Sequence, residues 1–160
     1  NLVDMQLLGA VPDTDNLNAD ITRGEFVDML YNFYNPGKSN IELAYTDVTE
    51  DSPWANAVKW ALEAGVIRGI TDKTFAPDKK ITRLEMIVML ARFDEERENP
   101  LTATEPEYHL ADCNNIPSWG KNAVHWAVAN GIIHGNNGSI LPDDYVKVSE
   151  AIAMISRCAK

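Results

Sequence analysis

The sequence predicts an all-α fold: three helix–loop–helix repeats that share one core, in a pseudo-threefold arrangement or a short solenoid. Three observations carry this. The first is internal repetition. An offset of 65 or 66 brings Asp47 onto Asp112, Trp54 onto Trp119, Trp60 onto Trp126, Gly65 onto Gly131, Gly69 onto Gly135 and Glu85 onto Glu150. An offset of 60 brings ITRGEFVDMLYNF at 21–33 onto ITRLEMIVMLARF at 81–93. The second is apolar spacing of i, i+3, i+4, i+7 in each copy, as a helix with one buried face requires. The third is the pair of capping boxes, Thr22-Arg23-Gly24-Glu25 and Thr82-Arg83-Leu84-Glu85. A single helical hairpin cannot bury its apolar face, so the copies must pack together.

The elements follow in order. The first unit, 1–36, is incomplete at its N-terminal side, where Leu7–Val11 matches Glu63–Ile67. Its second helix starts at the Thr22 box and carries Phe26, Met29, Leu30 and Phe33 as its stripe. Asn35–Leu43, with Pro-Gly-Lys-Ser-Asn, reads as a linker. In the second unit, 44–95, Ser52 is expected to cap the first helix, with Pro53 at its first position. Ala57, Val58, Ala61 and Leu62 form its stripe, and Gly65 ends it as the residue after the C-cap. A loop with Gly69, Phe75 and Pro77 leads to the Thr82 box and the stripe Met86, Met89, Leu90 and Phe93. The acidic stretch Asp94–His109 reads as a surface excursion. In the third unit, 109–160, the second stripe is Ala151, Met154, Ile155 and Cys158. Here Val146-Lys147-Val148-Ser149-Glu150 replaces Ile-Thr-Arg-x-Glu, so both Thr and Arg are gone.

Composition narrows the function. The 160 residues hold 14 Lys and Arg against 24 Asp and Glu, a net charge of −10. That balance argues against a nucleic-acid partner and against adhesion to an anionic membrane. Hydrophobic content of 45% and charged content of 24% are those of a globular chain. No apolar run is long enough to span a bilayer. Asn1 opens the chain with neither Met nor a basic segment, which reads as a mature or excised fragment. No nucleophile elbow, P-loop or dinucleotide glycine run is present, and no cofactor is expected. His109, His125 and His134 lack metal spacing, and Asp13-Thr14-Asp15 departs from a calcium loop at Asn18 and Gly24.

The order Asp-Val, Trp-Ala, Gly-Val-Ile-x-Gly, Phe-x-Pro, Ile-Thr-Arg-x-Glu resembles the S-layer homology module. Residues 44–93 carry nearly the whole pattern, the first unit its second half, and the third its first half. The resemblance implies a pseudo-trimeric, non-catalytic anchor on the surface of Gram-positive-type bacteria, part of a longer secreted protein. Its implied ligand is a secondary cell-wall polysaccharide, anionic and often pyruvylated, held in grooves between units with the tetrad Arg prominent. The rival reading is a structural module for protein–protein assembly, and the remote one an enzyme fragment.

Each candidate site residue has a structural reading beside the ligand one. Arg23 and Arg83 sit at helix starts, where the dipole disfavours a cation. An anionic ligand held by guanidinium and helix-start amides would explain them. So would an ion pair to a neighbouring unit, for instance Asp47 or Asp112. On the ligand reading, Arg83→Ala weakens binding without unfolding the chain. Thr22, Thr82, Glu25 and Glu85 read as caps before ligand contacts. Trp60 and Trp126 read as core, whereas Trp54 and Trp119 are open between core and sugar stacking. Gly69 and Gly135 serve backbone geometry and could line a groove. The third tetrad, without its Arg, is expected to be ligand-incompetent. Cys113 and Cys158 fall at core positions of the repeat and are either a disulfide across the third hairpin or two packed thiols.

Overall fold

The computed structural model describes residues 16–98, 100–101, 113–134 and 138–159. Among these there are five α-helices and no strand: α1 (Arg23–Tyr34), α2 (Ala55–Glu63), α3 (Arg83–Glu96), α4 (Ser118–Ala129) and α5 (Val148–Cys158). A 3-10 turn, Cys113–Asn115, precedes α4.

The second helices of the three units, α1, α3 and α5, start around a common centre. Three short extended segments meet there, and their backbones close a ring. Ile21 N donates to Val146 O at 2.9 Å, Val146 N to Ile81 O at 3.2 Å, and Ile81 N to Ile21 O at 3.1 Å. Their side chains are buried at the middle of one continuous core with Phe26, Phe75, Ile87 and Leu90. A ring of three is closed and cyclic, so the pseudo-threefold arrangement holds and the solenoid alternative does not.

The helix starts then interlock in one direction. Arg23 N and Gly24 N donate to Lys79 O and Pro77 O of the second unit. Arg83 N and Leu84 N donate to Asp144 O and Pro142 O of the third, and Val148 N and Ser149 N to Ala19 O and Leu17 O of the first. The first free amides of each helix are thus satisfied by the next unit's loop. The expectation that helix-start amides face a ligand is corrected.

Local signals place most boundaries. Thr82 caps α3 with a complete box: its Oγ1 accepts from Glu85 N, and Glu85 Oε1 accepts from Thr82 N at 3.1 Å. At α1, Thr22 Oγ1 accepts from Glu25 N, while α5 starts at Lys147 without a side-chain cap. Thr82→Ala is expected to lower stability by about 1 kcal/mol; an unmoved urea midpoint would count against the box. Gly65 and Gly131, at φ +75° and +69°, end α2 and α4 in the same way. Val66 N reaches back to Ala61 O and Ile132 N to Ala127 O, both at 2.8 Å, a six-to-one bond that needs the left-handed residue between.

Four expectations are corrected. Ser52 does not cap α2: its Oγ accepts from Thr49 N at 3.0 Å, closing a turn, and the helix begins at Ala55. The helices packed face to face are not the two of one unit. α1 lies on α2 and α3 on α4, so each close pair joins the second helix of one unit to the first helix of the next. The acidic stretch from Asp94 does not begin as a surface excursion. α3 runs on to Glu96, and buried Asp94 accepts from Trp126 Nε1 at 3.1 Å and Leu101 N at 2.9 Å. Most of that linker, with His109, lies outside the described residues, as does Asp13-Thr14-Asp15.

The fourth is Cys113. It is exposed, Cys158 is buried, and both thiols are free. Burial first, and then the Asp94 carboxylate, push the Cys158 thiol up to about 12 against the opposing pull of Arg97. A thiol with a raised pKa is protonated well below that value, so Cys158 holds no thiolate at pH 8. Iodoacetamide at pH 8 should alkylate Cys113 promptly and Cys158 only after unfolding. Equal rates for both, or no free thiol in the denatured protein, would contradict this.

Candidate functional site

The tetrad arginines are ties between units. Arg23 is 4% exposed. Its Nε donates to Phe75 O at 2.9 Å, its guanidinium pairs with Glu85, and its Cζ lies 4.9 Å from the Phe75 ring centroid. Arg83 repeats the geometry one unit on: Nε donates to Ile140 O and Nη1 pairs with Glu150, both at 2.6 Å. The acid is the capping glutamate of the following unit, not Asp47. Asp47 instead accepts from Phe75 N at 3.0 Å and Ala76 N at 2.7 Å, which holds Ala76 at φ +58°. Asp112 and Gly135 lie outside the described residues.

This direction changes what the degenerate tetrad affects. Each Arg acts on the unit after its own. Val148 therefore removes a guanidinium from the junction with the first unit, where its amide meets Ala19 O. The third unit still receives Arg83.

A groove of about 360 Å³ opens beside the first tie. Arg23 and Glu85 form its inner end, and α3 supplies Val88, Met89 and Arg92. The loop after α2 supplies Arg68, Gly69 and Ile70, and α4 supplies Trp119. A second hollow of about 260 Å³ continues it along α3 past Arg68 and Arg92 to Glu95, Asn122 and Trp126. From Glu85 to Glu95 the helix rises about 15 Å, room for a short oligosaccharide. Gly69 is required where the loop turns, because at φ +79° an added Cβ would stand 2.7 Å from Thr71 O and 2.8 Å from the Tyr45 ring.

Arg68 and Arg92 dominate the electrostatics of the trough. Burial first, and then the like charge of Arg68, push the Arg92 guanidinium below its ordinary value, with Glu95 opposing. Among the described residues neither arginine forms an ion pair. Two guanidiniums that share a trough, with Glu95 near Arg92 but not in an ion pair with it, suit a planar anion. Trp119, 60% exposed, stands on the rim.

Of the residues singled out from the sequence, the groove brings together Arg23, Glu85, Gly69 and Trp119. It does not include Thr22, Thr82, Glu25, Asp47, Arg83 or Trp54. Trp60 is buried in an aromatic cluster with Tyr31, Tyr34 and Phe93, and Trp126 is half-buried on Asp94. Arg68 and Arg92 escaped the sequence reading. Their places in the third unit hold His134 and Arg157, and Asn32 stands at the Arg92 place in the first. Repetition thus marks Arg92 in two of the three units, through Arg157, and does not mark Arg68.

Known proteins share this pattern. The model of the S-layer homology domain matches residues 44–87 and 110–152, more than half of the chain. A cellulosome-anchoring protein of Acetivibrio thermocellus is 31% identical over 86% of this chain and 32% of its own length. An amylopullulanase of Thermoanaerobacterium thermosulfurigenes is 30% identical over 86% of this chain but only 7% of its own. A surface-layer 125 kDa protein of Lysinibacillus sphaericus is 29% identical over 61% of this chain and 8% of its own. The chain thus spans a third or less of each of these relatives. Among the described residues no helix is long and apolar enough to cross a membrane.

Proposed function

The chain belongs to the S-layer homology family, and from that premise we propose that it is a non-catalytic module anchoring a longer protein to the cell surface by binding an anionic wall polysaccharide. The observation that carries this reading is the trough along α3, where Arg68 and Arg92 stand together beside an exposed Trp119. A carboxylate carried on a sugar ring, as in a pyruvate ketal, matches both parts. The acid takes the guanidinium forks and the ring face lies against the indole.

Membership supports anchoring over catalysis. The relative named as an amylopullulanase matches over only 7% of its length, so its named activity has ample room elsewhere. The trough brings Glu85 and Glu95 to its two ends, but Glu85 is engaged by Thr82 N and Arg23. The net charge of −10 does not oppose an acidic ligand, since a groove with its own cations sets the local potential.

The test is co-sedimentation with isolated Gram-positive-type walls, before and after mild acid removal of pyruvate ketals. Binding is expected before and lost after. Undiminished binding to treated walls overturns the ketal, and no retention on any wall, with self-association instead, overturns anchoring in favour of assembly.

A further inference from the structure

The two described junctions between units solve one packing problem in opposite ways. At each, the start of a second helix meets the start of the next unit's first helix. In the first junction α1 presents Gly24, and the indole of Trp54 lies on it. Three ring atoms of Trp54 stand 3.0 Å from where a Cβ on Gly24 would be. In the second junction the small and large residues change sides. Leu84 occupies the Gly24 position, and its side chain covers Gly120, 2.7 to 3.1 Å from where a Cβ there would stand. Each slot holds one bulky group. Trp54 fills the first and is half-buried against the core. Leu84 fills the second and is buried, and Trp119, the counterpart of Trp54, is left 60% exposed on the groove rim.

We propose that Leu84 is the positioning residue of the groove: by filling the slot it keeps Trp119 off α3 and presents the indole as a stacking face for a pyranose ring. The same logic makes Trp54 a packed wall, because Gly24 gives it a place to lie. Leu84 touches no ligand and acts only through Trp119. The inference rests on the trough being the polysaccharide site. The chemistry is consistent across it: an apolar ring face for the sugar, and Arg68 with Arg92 for its acid group.

The sequence difference is a reciprocal pair: Gly24 with Ala55 in the first junction, Leu84 with Gly120 in the second. Size at these facing positions, not the presence of Trp, then decides whether a junction offers an aromatic surface.

The test uses the whole chain labelled with 5-fluorotryptophan, which gives one fluorine resonance for each of the four tryptophans. The solvent-isotope shift reads the exposure of each, with Trp119 assigned by W119F. In L84G the Trp119 shift is expected to fall toward the Trp54 value, and in G24L the Trp54 shift to rise. L84M, which refills the slot, should restore Trp119. Binding is read by calorimetry with soluble pyruvylated polysaccharide released from Gram-positive-type walls. L84G should bind about tenfold more weakly, while L84M and G24L bind as the wild type does. An unchanged Trp119 shift in L84G overturns the proposal without any ligand being present. A collapsed Trp119 with undiminished affinity overturns it too. If the wild type itself does not bind, the polysaccharide reading of the trough falls and takes the stacking role of Trp119 with it. The G24L shift keeps the test open if L84G fails to fold: Trp54 staying in place would refute the one-group slot.

Discussion

Arg23→Ala is expected to destabilise the protein by about 3 kcal/mol, because removing one partner of a buried pair strands the other. Arg23 and Glu85 have side chains only 5% and 16% exposed. Without the guanidinium, the Glu85 carboxylate and the Phe75 carbonyl lose their donor, and the Phe75 ring loses its cation. For a domain of this size the loss corresponds to a fall in Tm of roughly 10 °C. Arg23→Lys should rescue little, since one ammonium cannot reproduce a fork that serves a carbonyl and a carboxylate together. Arg83→Ala should cost less, because Arg83 and Glu150 are 13% and 31% exposed and water replaces more of what is lost. Arg83→Ala should therefore leave the chain folded, as the ligand reading also expects, but at a lower midpoint. Urea titrations of the two variants decide it. An Arg23→Ala midpoint equal to the wild type, or no lower than that of Arg83→Ala, would refute the role of tie.

Replacing Arg68 and Arg92 together by Gln should have the reverse profile. Hydrogen bonds to charged groups contribute about 1.5–3 kcal/mol each, so losing two weakens an anionic ligand by roughly 100-fold or more. Stability should hold or rise, because Arg92 carries its charge against burial and against Arg68. Affinity in the wild type should fall with added salt and lose that dependence in the double variant. Calorimetry with the released polysaccharide, beside a thermal melt, separates the effects. A double variant that binds normally sinks the cationic trough as the ligand site, and one that melts early makes these arginines structural.

The contrast between these two pairs of arginines shows how far a sequence reads. Arg23 and Arg83 stood out because they recur beside a cap, where helix physics disfavours them. That signal was real, but it reported a junction: their partners lie 62 and 67 residues ahead in the next copy. Arg92 recurs only as Arg157 and Arg68 not at all in the third unit, and the two meet only because a loop and α3 come together. The two open tryptophans were undecidable for a related reason. Trp54 and Trp119 hold the same repeat position, and what separates them is Gly24 or Leu84 on another helix, together with Ala55 or Gly120 as the next residue. Cys113 shows the opposite failure, in which a repeat position that is buried in one copy is exposed in another.

By itself the sequence determined the repeat, the helical class, the Thr caps, the glycine stops and the stripes of α1, α3 and α5. These depend on contacts within about five residues, so the local string contains their cause. Only the tertiary structure decided which unit each copy faces, in which direction the ring of three runs, and hence which tryptophan is exposed and where the cations gather. Copies that resemble one another offer alternative partners of similar local fitness. The choice among them is made by packing across the centre, where Ile21, Ile81 and Val146 close their ring.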